Sequence, residues 1–242
     1  MADLSHTPAG RAADADAADR TYVGLAKQIY DLIAAGGVGP RARLPSERTF
    51  AERFGVSRTL VREAIIALEI QGVVEVRVGS GIYVADASAA RSVTLELPRG
   101  PGPIETLRAR VVIESGIAAL AATERKDSDL DLLFAALRAM REYMDDKAAN
   151  EAADREFHLA IARATGNEVR RFVVTAMWDT SRADPLWKKI EEHFHTPALR
   201  AASQEDHQRI FSAIVARDAA AARSAMHAHL SRVIGEFTKA WR

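Results

Sequence analysis

Cysteine is missing from this 242-residue chain, which removes disulfide frameworks, thiolate metal sites and cysteine nucleophiles. No run of about 18 apolar residues occurs, so no membrane span is predicted. The first residues carry no basic region leading into an apolar stretch, as a secretory leader would. A cytoplasmic protein with no membrane partner is the expectation. Net charge is missing too: 33 Lys and Arg balance 33 Asp and Glu. That balance conceals an asymmetry. Residues 1–20 hold four Asp against two Arg in an Ala/Asp-rich stretch without an apolar face, and are expected to be a disordered tail. Residues 40–62 hold six Arg against two Glu. A net +4 on one short unit is what a polyanion would feel.

With 48% apolar and 27% charged residues, the composition is that of a soluble globular chain, and the length allows two domains. Apolar residues at 22, 25, 26, 29, 32 and 33 predict a helix, ended by Gly36-Gly37. Ser46 and Ser57 are placed to cap two further helices, the second running to about Ile70 and stopping at Gly72. Residues 73–84 then read as a hairpin with a Gly-rich turn. Three helices and a hairpin make a winged helix-turn-helix over 21–86. Residues 87–103 lose periodicity and gather Pro98, Pro101 and Pro103, as a linker does. Strand patterns are absent from 104 onward. Successive amphipathic segments predict six or seven helices over 104–242, so the fold class is mainly α.

The turn at Gly55-Val56 between two helices places Ser57, Arg58, Thr59 and Arg62 at the start of the second, the end that meets base edges in helix-turn-helix readers. Arg58 and Arg62 lie one turn apart and are expected to project into one groove. Arginine suits a bidentate contact to guanine, and hydroxyls suit phosphates. Arg48 on the preceding helix is expected at a phosphate or flanking base, and Arg77 and Gly79 at the wing turn near the backbone or minor groove. A solvated charged face is the commonest meaning of alternating Arg and Glu; here the cap, turn, arginine spacing and wing coincide. The segments Leu44–Arg48, Phe54–Ala64 and Leu68–Gly72 together resemble the winged helix of the GntR family. The resemblance implies base and phosphate contacts by Arg48, Arg58, Thr59 and Arg62 and a wing-tip role for Gly79. Val78 departs from it, standing where a polar or basic residue is common.

In the helical half, Asp154 and His158 are spaced i, i+4 on one stripe with Phe157 and Ile161, and so face inward. His207 falls on the stripe of Ile210, Phe211 and Ile214. His229 lies beside that of Met226, Leu230 and Val233, whereas His227 falls on the wet side. Asp218 reads as a cap between the last two helices, and so short a connection makes them antiparallel. His207 precedes it by eleven residues and His229 follows it by eleven, so both sit about 16 Å from the turn and face each other. One inward histidine is ordinarily a satisfied core residue. Three, with an aspartate, make a donor set for a divalent metal ion: zinc first, with nickel or manganese as alternatives. Arg110 shares a stripe with Ile113, Glu114 and Ile117. A buried guanidinium needs a partner, either Glu114 or the carboxylate of a small ligand.

Leu107–Glu114, Asp154–His158 followed by Gly166-Asn167, Asp206-His207 and Met226–Leu230 resemble the FCD ligand domain of the FadR subfamily of GntR regulators. By that resemblance Asp154, His158, His207 and His229 hold the metal and Arg110 contacts the effector. Val73–Val84, Asp184–Trp187 and Met226–Leu230 with Val233 are similar to repressors of bacterial hexuronate operons, which implies a sugar-acid effector. Asn167, Trp178 and Arg182 are further expected on the effector pocket wall. The whole reads as a homodimeric, ligand-responsive regulator, expected to be a repressor, that binds double-stranded operator DNA. Its rivals are a metal-dependent enzyme acting on a small organic acid and a sensor of the metal itself.

Overall fold

The computed structural model describes residues 21–86, 101–194 and 196–238. The expected N-terminal tail and most of the expected linker lie outside them. The chain divides into two compact units between Gly102 and Pro103.

In the first unit, α1 (Tyr22–Leu32) starts where the Thr21 hydroxyl accepts the Gly24 N–H, and its end widens into a π-helical turn over Ile33–Gly37. Helix α2 (Glu47–Phe54) and helix α3 (Arg58–Ile70) are capped by Ser46 and Ser57, whose hydroxyls accept the N–H groups of Thr49 and Leu60, both at 3.2 Å. Each hydroxyl satisfies one of the donors that a helix start leaves open. Gly55 ends α2 at φ +66°, a left-handed conformation that a Cβ disfavours, and this allows the abrupt turn into α3. Leu25, Ile29, Phe50, Val61, Ile65 and Leu68 from the three helices bury a common core with Val74 and Ile82 of the wing.

The wing strands β1 (Val74–Arg77) and β2 (Gly81–Val84) pair antiparallel, Val74 opposite Val84 and Arg77 opposite Gly81. The two-stranded hairpin is as expected, and a segment that the sequence pattern did not announce lies along it. Residues 41–44 add a third edge: Leu44 N–H donates to Ile82 O at 2.8 Å, and Val84 N–H to Ala42 O at 2.9 Å. Pro40 and Pro45 bracket that segment, so no alternating pattern announces it; the hairpin's open edge decides the pairing.

The second unit contains seven helices among the described residues: α4 (Pro103–Glu124), α5 (Asp127–Glu142), α6 (Lys147–Ala164), α7 (Glu168–Ala183), α8 (Pro185–Phe194), α9 (Pro197–Val215) and α10 (Ala219–Phe237). The mainly α class with a winged helix-turn-helix ahead of a helical bundle is borne out. Pro103 opens α4 at a position where its missing N–H costs no bond. Ala118, Ala121 and Ala122 of α4 and Ala222 of α10 are buried in one core with Phe157, Ile161 and Met226. Small side chains there let helix axes approach closely. Buried Arg125 donates to the carbonyls of Ile214 (3.0 Å) and Val215 (2.9 Å), so a cation meets the negative end of α9. The Asp218 carboxylate caps α10 by accepting the Ala221 N–H at 2.9 Å. The α9–α10 hairpin is thereby fixed at its turn.

Candidate functional site

Helix α6 carries Asp154 and His158, α9 carries His207 and α10 carries His229. The structure brings all four together: one ligand atom from each lies within 4.8 Å of the others. His207 Nε2 is 3.2 Å from His229 Nε2, across the hairpin at the height the Asp218 turn dictates. Asp154 Oδ1 is 3.1 Å from His207 Nε2 and 3.4 Å from His158 Nε2. The three imidazoles are buried and Asp154 is partly open.

His207 Nε2 and His229 Nε2 are within hydrogen-bond reach of each other, but the cluster is not satisfied throughout. Asp154 Oδ1 and His158 Nε2 are buried without a hydrogen-bond partner, a costly condition for polar atoms. Burial, and then the neighbouring imidazoles, push His229 down to about 3; burial also lowers His207. Both rings are therefore held neutral, the form that binds metal. Burial opposes ionisation of Asp154, but His207 and His158 outweigh it and hold the carboxyl well below its ordinary range. Burial likewise opposes charge on His158, while Glu114 and Asp154 raise it. Two imidazoles held neutral, an ionised oxygen and orphaned inward atoms, among them His158 Nε2, fit a divalent ion bound by three nitrogens and one oxygen, which would displace any proton from His158.

Two carboxylates behind the cluster orient the rings. Glu114 on α4 engages His158 Nδ1, and Asp206 on α9 lies 3.3 Å from His229 Nδ1. Each outer contact holds a proton on Nδ1 and turns the Nε2 lone pair inward. Burial pushes Glu114 up, but Arg110 and His158 bring it down to about 2. Asp206 is pinned in turn by Arg232 at 2.6 Å and by Arg209. Sequence reasoning gave Glu114 only as a partner for Arg110 and left Asp206 without a role. The available signal was that Glu114 shares the inward stripe of Arg110.

Arg110 is buried, its Nε 2.5 Å from Glu114 Oε1 and its guanidinium 4.1 Å from the centroid of Trp178. Arg110, Asp154, Trp178, Arg182 and His229 line one cavity, together with Glu151, Ser181, Trp187, Glu191 and Ser203. Its open volume of about 60 Å³ admits a few waters, less than a six-carbon acid occupies. Binding such an acid therefore requires lining side chains to move outward. The expectation for Asn167 is corrected. It is exposed and outside the cavity, and its carbonyl caps α7 by accepting the N–H groups of Val169 (3.0 Å) and Arg170 (3.2 Å). A residue just after the left-handed Gly166 and just before a helix is committed to the helix start.

In the first unit, a groove of about 420 Å³ runs between the helix-turn-helix and the wing, lined by Arg43, Ser46, Arg48, Arg58, Gly79 and Ser80 among others. Arg48 and Arg58 are exposed, and Thr59 is half-buried. Arg58 Nη2 lies 4.0 Å from Glu47 Oε2. Ser57 is exposed and committed through its hydroxyl to capping α3. Arg77 lies over Tyr83 and pairs with Glu75, and Gly79 sits at the wing turn with φ +74°. Arg62 departs from expectation: it is 2% exposed and forks onto Glu47 at 2.8 and 2.6 Å. The shared-groove picture therefore fails at Arg62, because the turn folds α2 over that face of α3. Arg43 was missed; the adjoining strand edge carries it to the groove.

Comparison with known proteins places these features in a lineage. The model for "Bacterial regulatory proteins, gntR family" matches residues 21–84, and that for the FCD domain matches residues 105–232. The chain is 38% identical to the Uxu operon transcriptional regulator of Escherichia coli K12 over 90% of its own length and 87% of the relative's. It is 36% identical to the Uxu operon regulator of Haemophilus influenzae (89% and 81%) and 37% identical to the Exu regulon transcriptional regulator of E. coli K12 (87% and 82%).

Proposed function

Because this chain belongs to the gntR family of bacterial regulatory proteins and carries an FCD domain, we propose that it is a metal-dependent repressor relieved by a hexuronate. Its class is settled more broadly: it is a transcriptional regulator and not an enzyme, which removes the metalloenzyme reading. Regulators of this family bind operator DNA, and FCD domains bind small-molecule effectors.

The observation that carries the finer reading is the cluster of Asp154, His158, His207 and His229, two of whose members, Asp154 and His229, line one cavity with Arg110 and Trp178. The similarity to Uxu and Exu regulators points to the acid. The four donors would hold the ion, which supplies a fixed positive charge for ligand oxygens. Arg110 uses Nε on Glu114, and its terminal nitrogens can fork onto a carboxylate. Trp178 stacks on that guanidinium and shields it from water, strengthening the contact. Arg48, Arg58 and the wing turn would meet operator phosphates and bases, each helix-turn-helix of a dimer taking one half-site. Since the cavity must widen to accept the acid, the ligand favours a second arrangement of the helical unit. Differential binding of that kind is what shifts an operator equilibrium.

The test is operator affinity of the zinc-loaded full chain, by fluorescence anisotropy, across aldo- and keto-hexuronates. At least one should weaken binding about tenfold, a coupling of about 1.4 kcal/mol. No effect from any of them would overturn the reading. A response to zinc alone, unaltered by acids, would favour metal sensing.

A further inference from the structure

The proposed acid site has a second polar end that the carboxylate does not use. Glu151 lies one turn before Asp154 on α6, a rise of about 4.5 Å, and faces the same cavity as Glu191 and Trp187 of α8. Glu191 Oε1 accepts the Trp187 indole N–H at 2.7 Å. Burial, then the neighbouring Glu151 carboxyl, pushes Glu191 up to about 8, so the pair keeps a proton between them at neutral pH. Such a pair both donates and accepts hydrogen bonds, as sugar hydroxyls require. A separate observation points to a ligand: Trp178, 7% exposed, lines the cavity, and its buried indole N–H has no hydrogen-bond partner. That is an unmet demand for an oxygen acceptor.

We propose that Glu151, Glu191 and Trp178 are the specificity determinants of this site, reading the hydroxyls of a polyhydroxylated acid whose carboxylate lies at Arg110 and the Asp/His cluster. The rise of about 4.5 Å between the two ends along α6 corresponds to about four carbon–carbon bonds, since a zigzag chain of bonds of about 1.5 Å advances only about 1.25 Å per bond. A two- or three-carbon acid reaches one end only; a hexuronate reaches both. The inference rests on the effector site proposed above and adds how that site selects chain length and hydroxylation.

Calorimetric titration of the zinc-loaded full chain with aldo- and keto-hexuronates and with glycolate tests it. The wild type should bind its preferred hexuronate about tenfold or more tighter than glycolate, about 1.4 kcal/mol. Glu191→Ala should cut hexuronate affinity about tenfold and leave glycolate within about twofold; Glu191→Gln, which keeps a donor and an acceptor, should recover most of the loss. Trp178→Phe, which keeps the ring and removes the N–H, should weaken the hexuronate several-fold and gives a second measure should Glu191→Ala fail to fold. Equal losses for both acids, or none in either variant while the wild type binds, would overturn the inference and leave the effector site standing. If the wild type binds neither acid, the effector site itself falls and the inference with it.

Discussion

Arg58 and Arg62 differ by four positions and share a residue type, yet their surroundings separate them. Arg58 keeps half its side-chain surface exposed, while Arg62 is buried against Glu47. Truncating one partner of a buried ion pair strands the other's charge and costs about 3–5 kcal/mol. Arg62→Ala should therefore lower the melting temperature of the first unit sharply. Arg58→Ala should leave stability within about 0.5 kcal/mol and weaken operator binding instead. Melting curves beside anisotropy separate the roles; equal melting of the two variants would contradict them. A second residue-scale prediction concerns His229. In the unfolded chain it protonates as pH falls through its ordinary value of 6.5, whereas in the fold it resists until about 3. The unfolded state then binds the extra proton, so metal-free protein loses stability as pH falls across that window. His158 acts in the opposite sense, so the readout is the difference between wild type and His229→Gln. Identical pH slopes of denaturation for the two would refute it.

At the scale of elements, helix starts do double duty. Ser57 closes the first turn of α3, the turn that presents Arg58 and Thr59. Ser57→Ala should cost about 1 kcal/mol. Ser57→Asp keeps a capping oxygen but sets a negative charge where phosphate would approach, so it should preserve melting and lose operator affinity. An aspartate variant that binds operator as well as wild type would remove Ser57 from the DNA face. The same element logic explains the misplacement of Asn167. Its pattern, polar after Gly166 and ahead of an amphipathic run, is a cap signature.

For the whole molecule, metal removal gives the broadest test. An ion that binds the folded state alone stabilises it by about 2.7 kcal/mol at a hundredfold excess over its Kd. Chelation should accelerate amide hydrogen exchange in α6, α9 and α10, which carry the four donors, and leave α1 to α3 unchanged. Uniform acceleration across both units, or none, would argue against an ion at this cluster. Among the described residues no helix is long and apolar enough to cross a membrane.

Much of this was legible in the residues. Helix periods, serine caps and the Gly55 turn are local, set by side chains within one or two turns, and local interactions survive without knowledge of distant contacts. The meeting of His207 and His229 was legible for the same reason: a short hairpin with a capped turn converts equal sequence offsets into equal heights. What the sequence could not determine was anything fixed by packing between elements distant along the chain. Whether Arg62 faces a groove or Glu47, whether residues 41–44 join the wing, and how small a cavity remains between Arg110, Trp178 and Glu191 depend on which faces finally pack. Those outcomes were decided by tertiary structure, because burial and pairing are properties of neighbours in space.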